Sequence, residues 1–492
     1  METSEYMINM SDGVARLPEV RLAAPVNFTL YKGEHIALVG ANGSGKSLFV
    51  DMLLGRHPLR EGFVRYDFSP SPSNAVYKNI QVIAFRDIYG SSEVDYCYQL
   101  RWNTHEHNDI PTVRELLADN TNCDILPGIN NKLGIDGIID KSVVMLSSGE
   151  LRRLQIFMAL QKSPRLLVLD NPFIGLDAES RTLLSKELAT IASSGTTQML
   201  LVLSCPEDIP LFVDSVIPVC NKQLGAKMRR EDFMALHNRQ KKDVCFNNKR
   251  AEILNALQDE ILSLPDGDYV EPGNDVLIFD NVSVRYGKRT ILDNLSWRVH
   301  SGEVWALSGR NGSGKSTLLS LVCADNLQSY SCNINLFGRR RGTGESIWDI
   351  KKRIGYVSPE MHRAYLRNLP TSDIVASGLF DTIGLYIRPS EEQIEKCRFW
   401  MRLFGIEELS NRSFIKLSSG EQRLALLARA FVKDPALLIL DEPFHGLDSD
   451  NRLRAKAIIE AFSRRKGKSV IFVSHYEEEL PQTLTHRIKV GV

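Results

Sequence analysis

No apolar stretch in the 492 residues approaches the 18 or more that would span a bilayer. The longest runs, such as Met199–Leu203, read as buried strands. The N-terminus, METSEYMINM, lacks the basic and apolar regions of a secretory signal. Neither charge is in excess: 60 Lys+Arg balance 60 Asp+Glu, which excludes a histone-like polyelectrolyte. Cysteines are few, eight in all, and no two form a CxxC pair. That excludes a zinc ribbon, an iron–sulfur module and a disulfide framework. Apolar residues at 43% and charged residues at 24% are ordinary for a globular protein and far from disorder. At about 100–200 residues per domain the chain holds two to four domains. The expectation is a soluble multidomain protein, cytoplasmic or peripheral at the inner face of the cell membrane.

What the chain does contain is a repeat of itself, the signal to seek before any other. Residues 38–47, LVGANGSGKS, return as LSGRNGSGKS at 307–316, an offset of 269. LSSGE at 146–150 returns at 417–421, and LLVLDNPFIGLD at 166–177 returns as LLILDEPFHGLD at 437–448, both at offset 271. From Gly149 to Asp170 and from Gly420 to Asp441 the distance is 21 residues in both halves. The sequence is a tandem duplication.

Each half opens with alternating stretches (Asn27–Leu30; Leu277–Tyr286 and Leu295–Val299) that lead into a buried strand. Helix-like runs follow the Gly-rich segments (Ser47–Leu54; Ser316–Cys323) and the LSSGE segments (Leu151–Gln161; Gln422–Val432). Short apolar runs ending in Asp170 and Asp441 have the length of core parallel strands. The fold class expected is α/β, two tandem P-loop nucleotide-binding domains, each a mainly parallel sheet with a helical subdomain near 90–145 or 360–415. The domains are placed at 1–220 and 276–492. Between them, Lys222–Arg250 carries nine Lys/Arg and three Asp/Glu, whereas Ala251–Asp275 carries seven acids and no Lys/Arg. This charged linker, 221–275, reads as one or two helices folded on the domains, in preference to a basic face for nucleic acid or ribosome.

Gly40-Ala41-Asn42-Gly43-Ser44-Gly45-Lys46-Ser47 and Gly309-Arg310-Asn311-Gly312-Ser313-Gly314-Lys315-Ser316 both satisfy GxxxxGK[ST], and Thr317 extends the second. Glycines let successive backbone N–H groups turn inward around a polyphosphate, and the next helix adds its N-terminal dipole. Lys46 and Lys315 are placed to reach the β- and γ-phosphates of ATP, and Ser47 and Ser316 to hold Mg²⁺. Asp170 and Asp441, at their strand ends, complete the Mg²⁺ shell. Glu442 is placed to take a proton from the attacking water. The first half has Asn171 there, and an amide cannot accept a proton at neutral pH. His475 follows Val473-Ser474 in the second half, where an imidazole can orient that water; the first half offers Cys205. The two sites are therefore unequal.

Ser147, Ser148, Gly149 and Glu150, and likewise Ser418, Ser419, Gly420 and Glu421, open helices whose starts suit an anion as well as a cap. Tyr286, 23 residues before Gly309, is read as a stacking partner for adenine, with a core tyrosine as the alternative. The Arg339–Arg341 run reads as a solvated loop.

Together these motifs resemble the ATP-binding-cassette (ABC) ATPases over nearly the whole chain. The resemblance implies cassettes closing head to tail, each ATP between one P-loop and the opposite signature. The competent site would combine Lys315, Ser316, Asp441, Glu442 and His475 with Ser147 and Gly149. The degenerate one would combine Lys46, Ser47 and Asp170 with Ser418 and Gly420. Asp177 and Asp448 match the family's D-loop aspartates. One departure stands out: the family's glutamine after IGYVxQ is missing from both Ile354-Gly-Tyr-Val-Ser-Pro359 and Ile83-Ala-Phe85-Arg86. Phe337–Ser358 and the paired PFxGLD segments are most similar to tandem ATPases assigned to molybdate transport.

The function expected is ATP hydrolysis that drives a separate transmembrane permease. The alternative is an ATP-gated switch acting on ribosome, nucleic acid or a regulatory partner. Absence of the family's TNHLD-type element, replaced here by Pro443-Phe-His-Gly-Leu-Asp448, counts against the translation-factor branch.

Overall fold

The computed structural model describes residues 5–84, 111–119, 133–143, 146, 148–174, 176, 178–241, 244–286, 289–309, 313–359, 361, 365, 368–474 and 476–491. The chain forms two compact units, Met1–Val244 and Cys245–Val492.

In the first unit, Tyr6–Ala15 pairs antiparallel with Val26–Tyr31 and Leu59–Tyr66. The larger sheet runs Met228–Arg229, Ser215–Cys220, Ile36–Val39, Gln198–Leu203, Leu166–Asp170, Ile80–Ala84. Its pairings are parallel from Ser215–Cys220 onward. The inner strands are apolar over most of their length because both faces are covered. Ile36, Leu38, Leu166 and Val168 face a core shared with the antiparallel layer and the helix Lys46–Leu53. Ala37, Val39, Leu167 and Leu169 face the helices Ser148–Gln161 and Ala178–Ser193 on the other side.

The second unit repeats this plan. Asp275–Tyr286, Arg289–His300, Ile334–Leu336 and Arg339–Arg340 form the antiparallel layer. The core sheet is parallel throughout, in the order Ile354–Val357, Leu437–Asp441, Ser469–Val473, Val304–Ser308, His486–Lys489. A helical subdomain, Thr371–Ala376 and Glu391–Leu403, packs with Ser419–Phe431 through Trp400, Phe404 and Phe431. Of its expected first-half counterpart near 90–145, the described part contains the helix Val113–Asp119; residues 90–110 lie outside the described residues.

One sequence expectation needs adjustment. The helices after LSSGE begin inside the motif, at Ser148 and Ser419, rather than at Leu151 and Gln422. In the second unit the cause is a capping box: Ser418 Oγ accepts from the Glu421 N–H, and the Glu421 carboxylate accepts from the Ser418 N–H. The charged stretch 221–275 forms two helices, Arg230–Lys241 and Val244–Leu262, each packed on a unit. Gln223–Leu224 and Met228–Arg229 extend the first unit's sheet, and Phe233 and Met234 of the helix Arg230–Lys241 pack on its core. Leu257 and Ile261 of the helix Val244–Leu262 are buried in the second unit. Net charge described the wet faces of these helices, and their few apolar residues chose the unit.

Candidate functional site

Each P-loop is delivered by a central parallel strand and ends in a helix. Ile36–Val39 runs into Gly40, whose N–H donates to the Leu203 carbonyl at 3.2 Å. A Cβ on Gly40 would lie 2.0 Å from the Val219 oxygen, so only glycine fits there. Gly45 and Gly314 begin their helices at φ +104° and +96°, left-handed geometry that favours glycine. The loops close over their own lysines. Lys46 Nζ donates to the carbonyls of Gly40 at 2.6 Å and Ala41 at 2.8 Å, and approaches Ser44 Oγ at 3.5 Å. Lys315 Nζ donates to the Gly309 carbonyl at 2.6 Å. Ser313 Oγ is buried without a hydrogen-bond partner, an orphaned polar atom in a loop built for an anion. These loops fit a polyphosphate.

Ser47 and Ser316 are exposed in the first turns of their helices, where a ligand can meet them, whereas Thr317 is buried at 7% exposure. Asp170 and Asp441 end adjacent-strand ladders opposite Val202 and Val473. Among the described residues no three His, Cys, Asp or Glu side chains converge on a metal site. A Mg²⁺ ion at Ser316 and Asp441, or at Ser47 and Asp170, would complete its octahedral shell with substrate phosphates and water, as that ion usually does.

The residues after those aspartates share one backbone geometry and differ in chemistry. Asn171 has φ +50° and Glu442 φ +47°. Their N–H groups donate to Val202 O at 2.8 Å and Val473 O at 2.9 Å. Asn171 then spends its amide locally: Nδ2 donates to Asp170 Oδ1 at 3.0 Å, and Oδ1 accepts from the Ser204 N–H at 3.0 Å. Ser204 Oγ in turn donates to Asn42 Oδ1 at 3.1 Å, tying the strand end to the P-loop. Glu442 instead carries a carboxylate, about a quarter exposed, with His445 Nδ1 4.0 Å away.

The two signature segments are helix starts. Ser418 is the N-cap of Ser419–Phe431, and Ser418 Oγ also donates to Glu421. Ser419 is half-buried and Gly420 buried. In the first unit Gly149 sits against Ser180, with no room to spare for a side chain, and Glu150 pairs with Lys141 at 2.7 Å. Asp448 caps the helix Ser449–Ser463 by accepting from the Asn451 N–H at 2.8 Å. Tyr286 is partly buried on the core of the antiparallel layer, its hydroxyl accepting from Asn326 Nδ2 at 2.9 Å. Ser147, Asp177, Arg310, Asn311, Gly312 and His475 lie outside the described residues, as does the side chain of Ser148.

A sequence profile of the family described as ABC transporter matches residues 23–174 and 292–445. This chain belongs to the ABC transporter family. It is a tandem ATP-binding protein of that family, and as an ABC ATPase it hydrolyses ATP. The ABC transporter ATP-binding protein ModF of Escherichia coli is 36% identical over 490 residues, covering 98% of this chain and 96% of the relative. An uncharacterized ABC transporter ATP-binding protein of Schizosaccharomyces pombe is 27% identical, covering 97% and 95%. Among solved structures, a ribosome-bound archaeal Pelota–ABCE1 assembly matches with TM-score 0.56 at 18% identity, covering 94% of this chain and 73% of that one. At that identity the match speaks for the fold alone.

Sequence reading passed over three residues that touch the segments after Asp170 and Asp441. Arg152 and Arg423, both buried, follow the signature glycines by three residues and donate to the Pro172 and Pro443 carbonyls at 2.6 and 3.1 Å. Their recurrence at offset 271 was the available signal. His445 had none, since the first half has Ile174 in its place.

Proposed function

We propose that ATP is hydrolysed at the second-half site, Lys315, Ser316, Asp441, Glu442 and His475 completed by Ser147 and Gly149. The first-half site, Lys46, Ser47 and Asp170 with Ser418 and Gly420, holds ATP with little turnover. The observation that carries this reading is the pair Glu442 and Asn171, set on the same backbone hydrogen bond and left-handed φ. A carboxylate there can accept the proton of an attacking water, a contribution of about 10²–10⁴-fold in rate. An amide cannot, and that of Asn171 is engaged with Asp170 and Ser204. Lys315, at the loop, supplies positive charge to the phosphates as they are transferred. Bound Mg²⁺ supplies further neutralisation of the β- and γ-phosphate oxygens.

The biological reading is an energy-coupling subunit for a separate transmembrane permease, with molybdate as the cargo by resemblance. Among the described residues no helix is long and apolar enough to cross a membrane, so the pore belongs to another chain. Pro359 at the family's glutamine position favours a second reading, an ATP-gated switch on ribosome, nucleic acid or a regulatory protein, because proline has no side-chain amide to sense a permease.

Glu442→Gln tests the site: turnover should fall about 10²–10⁴-fold with ATP still bound, and an unchanged rate overturns the assignment. The same variant, trapped with ATP and fractionated from its native cells, tests the role. Recovery with one integral membrane protein supports transport; recovery with ribosomes or nucleic acid replaces it by the switch.

A further inference from the structure

The segments that carry the two strand-end aspartates, LLVLDNPFIGLD and LLILDEPFHGLD, differ at three positions. Val168 against Ile439 exchanges one buried β-branched residue for another. The remaining two are Asn171 against Glu442 and Ile174 against His445. In the fold these two positions stand together, with His445 Nδ1 4.0 Å from Glu442 Oε2. Where the carboxylate is present an imidazole lies beside it. Where an amide replaces the carboxylate, a hydrocarbon replaces the imidazole.

The backbone builds this juxtaposition. The His445 N–H donates to the Glu442 carbonyl at 3.1 Å, closing a four-residue turn with Pro443 at its second position, where proline is favoured. Phe444, 1% exposed, anchors the turn in the core against the Phe472 ring, centroids 5.6 Å apart. Arg423 Nε holds the Pro443 carbonyl at 3.1 Å. The first unit makes the same turn: the Ile174 N–H donates to the Asn171 carbonyl at 3.3 Å, and Phe173 is buried. Isoleucine therefore satisfies both the turn and the packing. What histidine adds is a ring N–H beside a carboxylate. The His445 side chain is 11% exposed and that of Glu442 23%, so solvent screens the pair less than it would on an open surface. Catalytic hydrogen bonds are often long before substrate binds and tighten in the complex.

We propose that His445 is a positioning residue for Glu442. Its Nδ1–H donates to Oε2 in the ATP complex and leaves Oε1 turned to the attacking water, whose proton Oε1 receives. The proposal rests on the assignment of Glu442 as that proton acceptor. Holding one oxygen removes the rotamer freedom of the carboxylate and keeps the other in line with the water. A histidine kept for packing alone would give way to isoleucine with no loss of kcat.

The test is steady-state ATPase kinetics on the full chain, with His445→Ile and His445→Asn each made alone and with Glu442→Gln. His445→Ile should lower kcat about 10–100-fold, the scale of one hydrogen bond to a charged group, with little change in KM for ATP. His445→Asn, whose amide nitrogen stands near the place of Nδ1, should recover most of that loss. Beside Glu442→Gln, His445→Ile should lower the residual rate little further, because coupled residues do not add. Should His445→Ile fail to fold, His445→Ala carries the same comparison. An unchanged kcat in the isoleucine variant, an equal loss in the asparagine variant, or the full isoleucine factor persisting beside Glu442→Gln overturns the proposal. A Glu442→Gln protein as fast as the parent would instead overturn the assignment of Glu442 on which it rests.

Discussion

Asn171→Asp changes one amide nitrogen for an oxygen and leaves the shape of the first-half site intact. Its cost follows from two distances. The donor lost is the one to Asp170 Oδ1 at 3.0 Å, and a hydrogen bond to a charged group contributes about 1.5–3 kcal/mol. In its place two carboxylates face each other about 3 Å apart. Their repulsion is about 1.4 kcal/mol in bulk water and about 5.5 kcal/mol at an effective dielectric of 20. Both residues are half-buried, so the value lies between these limits. Proton uptake caps the total, because protonating an ordinary carboxyl near pH 7 costs about 4 kcal/mol and restores a donor between the two oxygens. The expected destabilisation of the first unit is about 2–4 kcal/mol near neutral pH, a fall in Tm of about 4–16 °C for a unit of this size.

The sign with pH is fixed as well. The pair's folded pKa is raised above the unfolded value, so the folded variant binds more protons than its unfolded chain between the two. The deficit is full above the raised pKa and shrinks as pH falls towards about 4. Urea unfolding without nucleotide and with a chelator, near pH 5 and pH 8, measures it. Asn171→Ala is the control: it loses the bond to Asp170, and the one from Ser204 besides, without adding charge, so its deficit should stay nearly constant while Asp170 is ionised. An aspartate variant as stable as the parent near pH 8, or a deficit growing on acidification, would refute the network.

Two further outcomes test the second unit. Lys433 is buried, its ammonium bonded to the Asp381 carboxylate and donating to the Lys351 carbonyl at 2.6 Å. Burial pushes its pKa below the usual lysine value, against the opposing pull of Asp381. Lys433→Met should therefore cost about 3 kcal/mol by leaving a carboxylate without its cation, and adding Asp381→Asn should recover part of it in calorimetric melts. Thiol titration of the native protein near pH 8 should modify Cys220, which is exposed, and spare Cys397, which is buried with its pKa pushed up to about 12. Prompt reaction of Cys397 would mean that the helical subdomain opens readily.

The sequence by itself determined the duplication, the α/β class and the motif chemistry. Each P-loop is a contiguous run whose glycines and lysine are needed by local backbone geometry and by the charge of a phosphate, so it is visible without a fold. The contrast of Glu442 with Asn171 was legible for the same reason: a single atom type decides whether a proton can be accepted. Tertiary structure decided what depends on residues far apart in the chain. Nothing in the string places Ser204 and Asn42 beside Asn171, or sends Arg423 to carbonyls at 358 and 441–443. Arginine in a helix ordinarily faces water, and its burial here requires acceptors that the loop and strand end supply only once folded. The run Arg339–Arg341 makes the same point: Arg339 and Arg340 are exposed, as a solvated loop would have them. Arg341 is buried, over the Tyr330 ring at 4.6 Å and paired with Glu345 at 2.6 Å. Charge along a sequence says which side chains prefer water; only packing says which of them leave it for a partner.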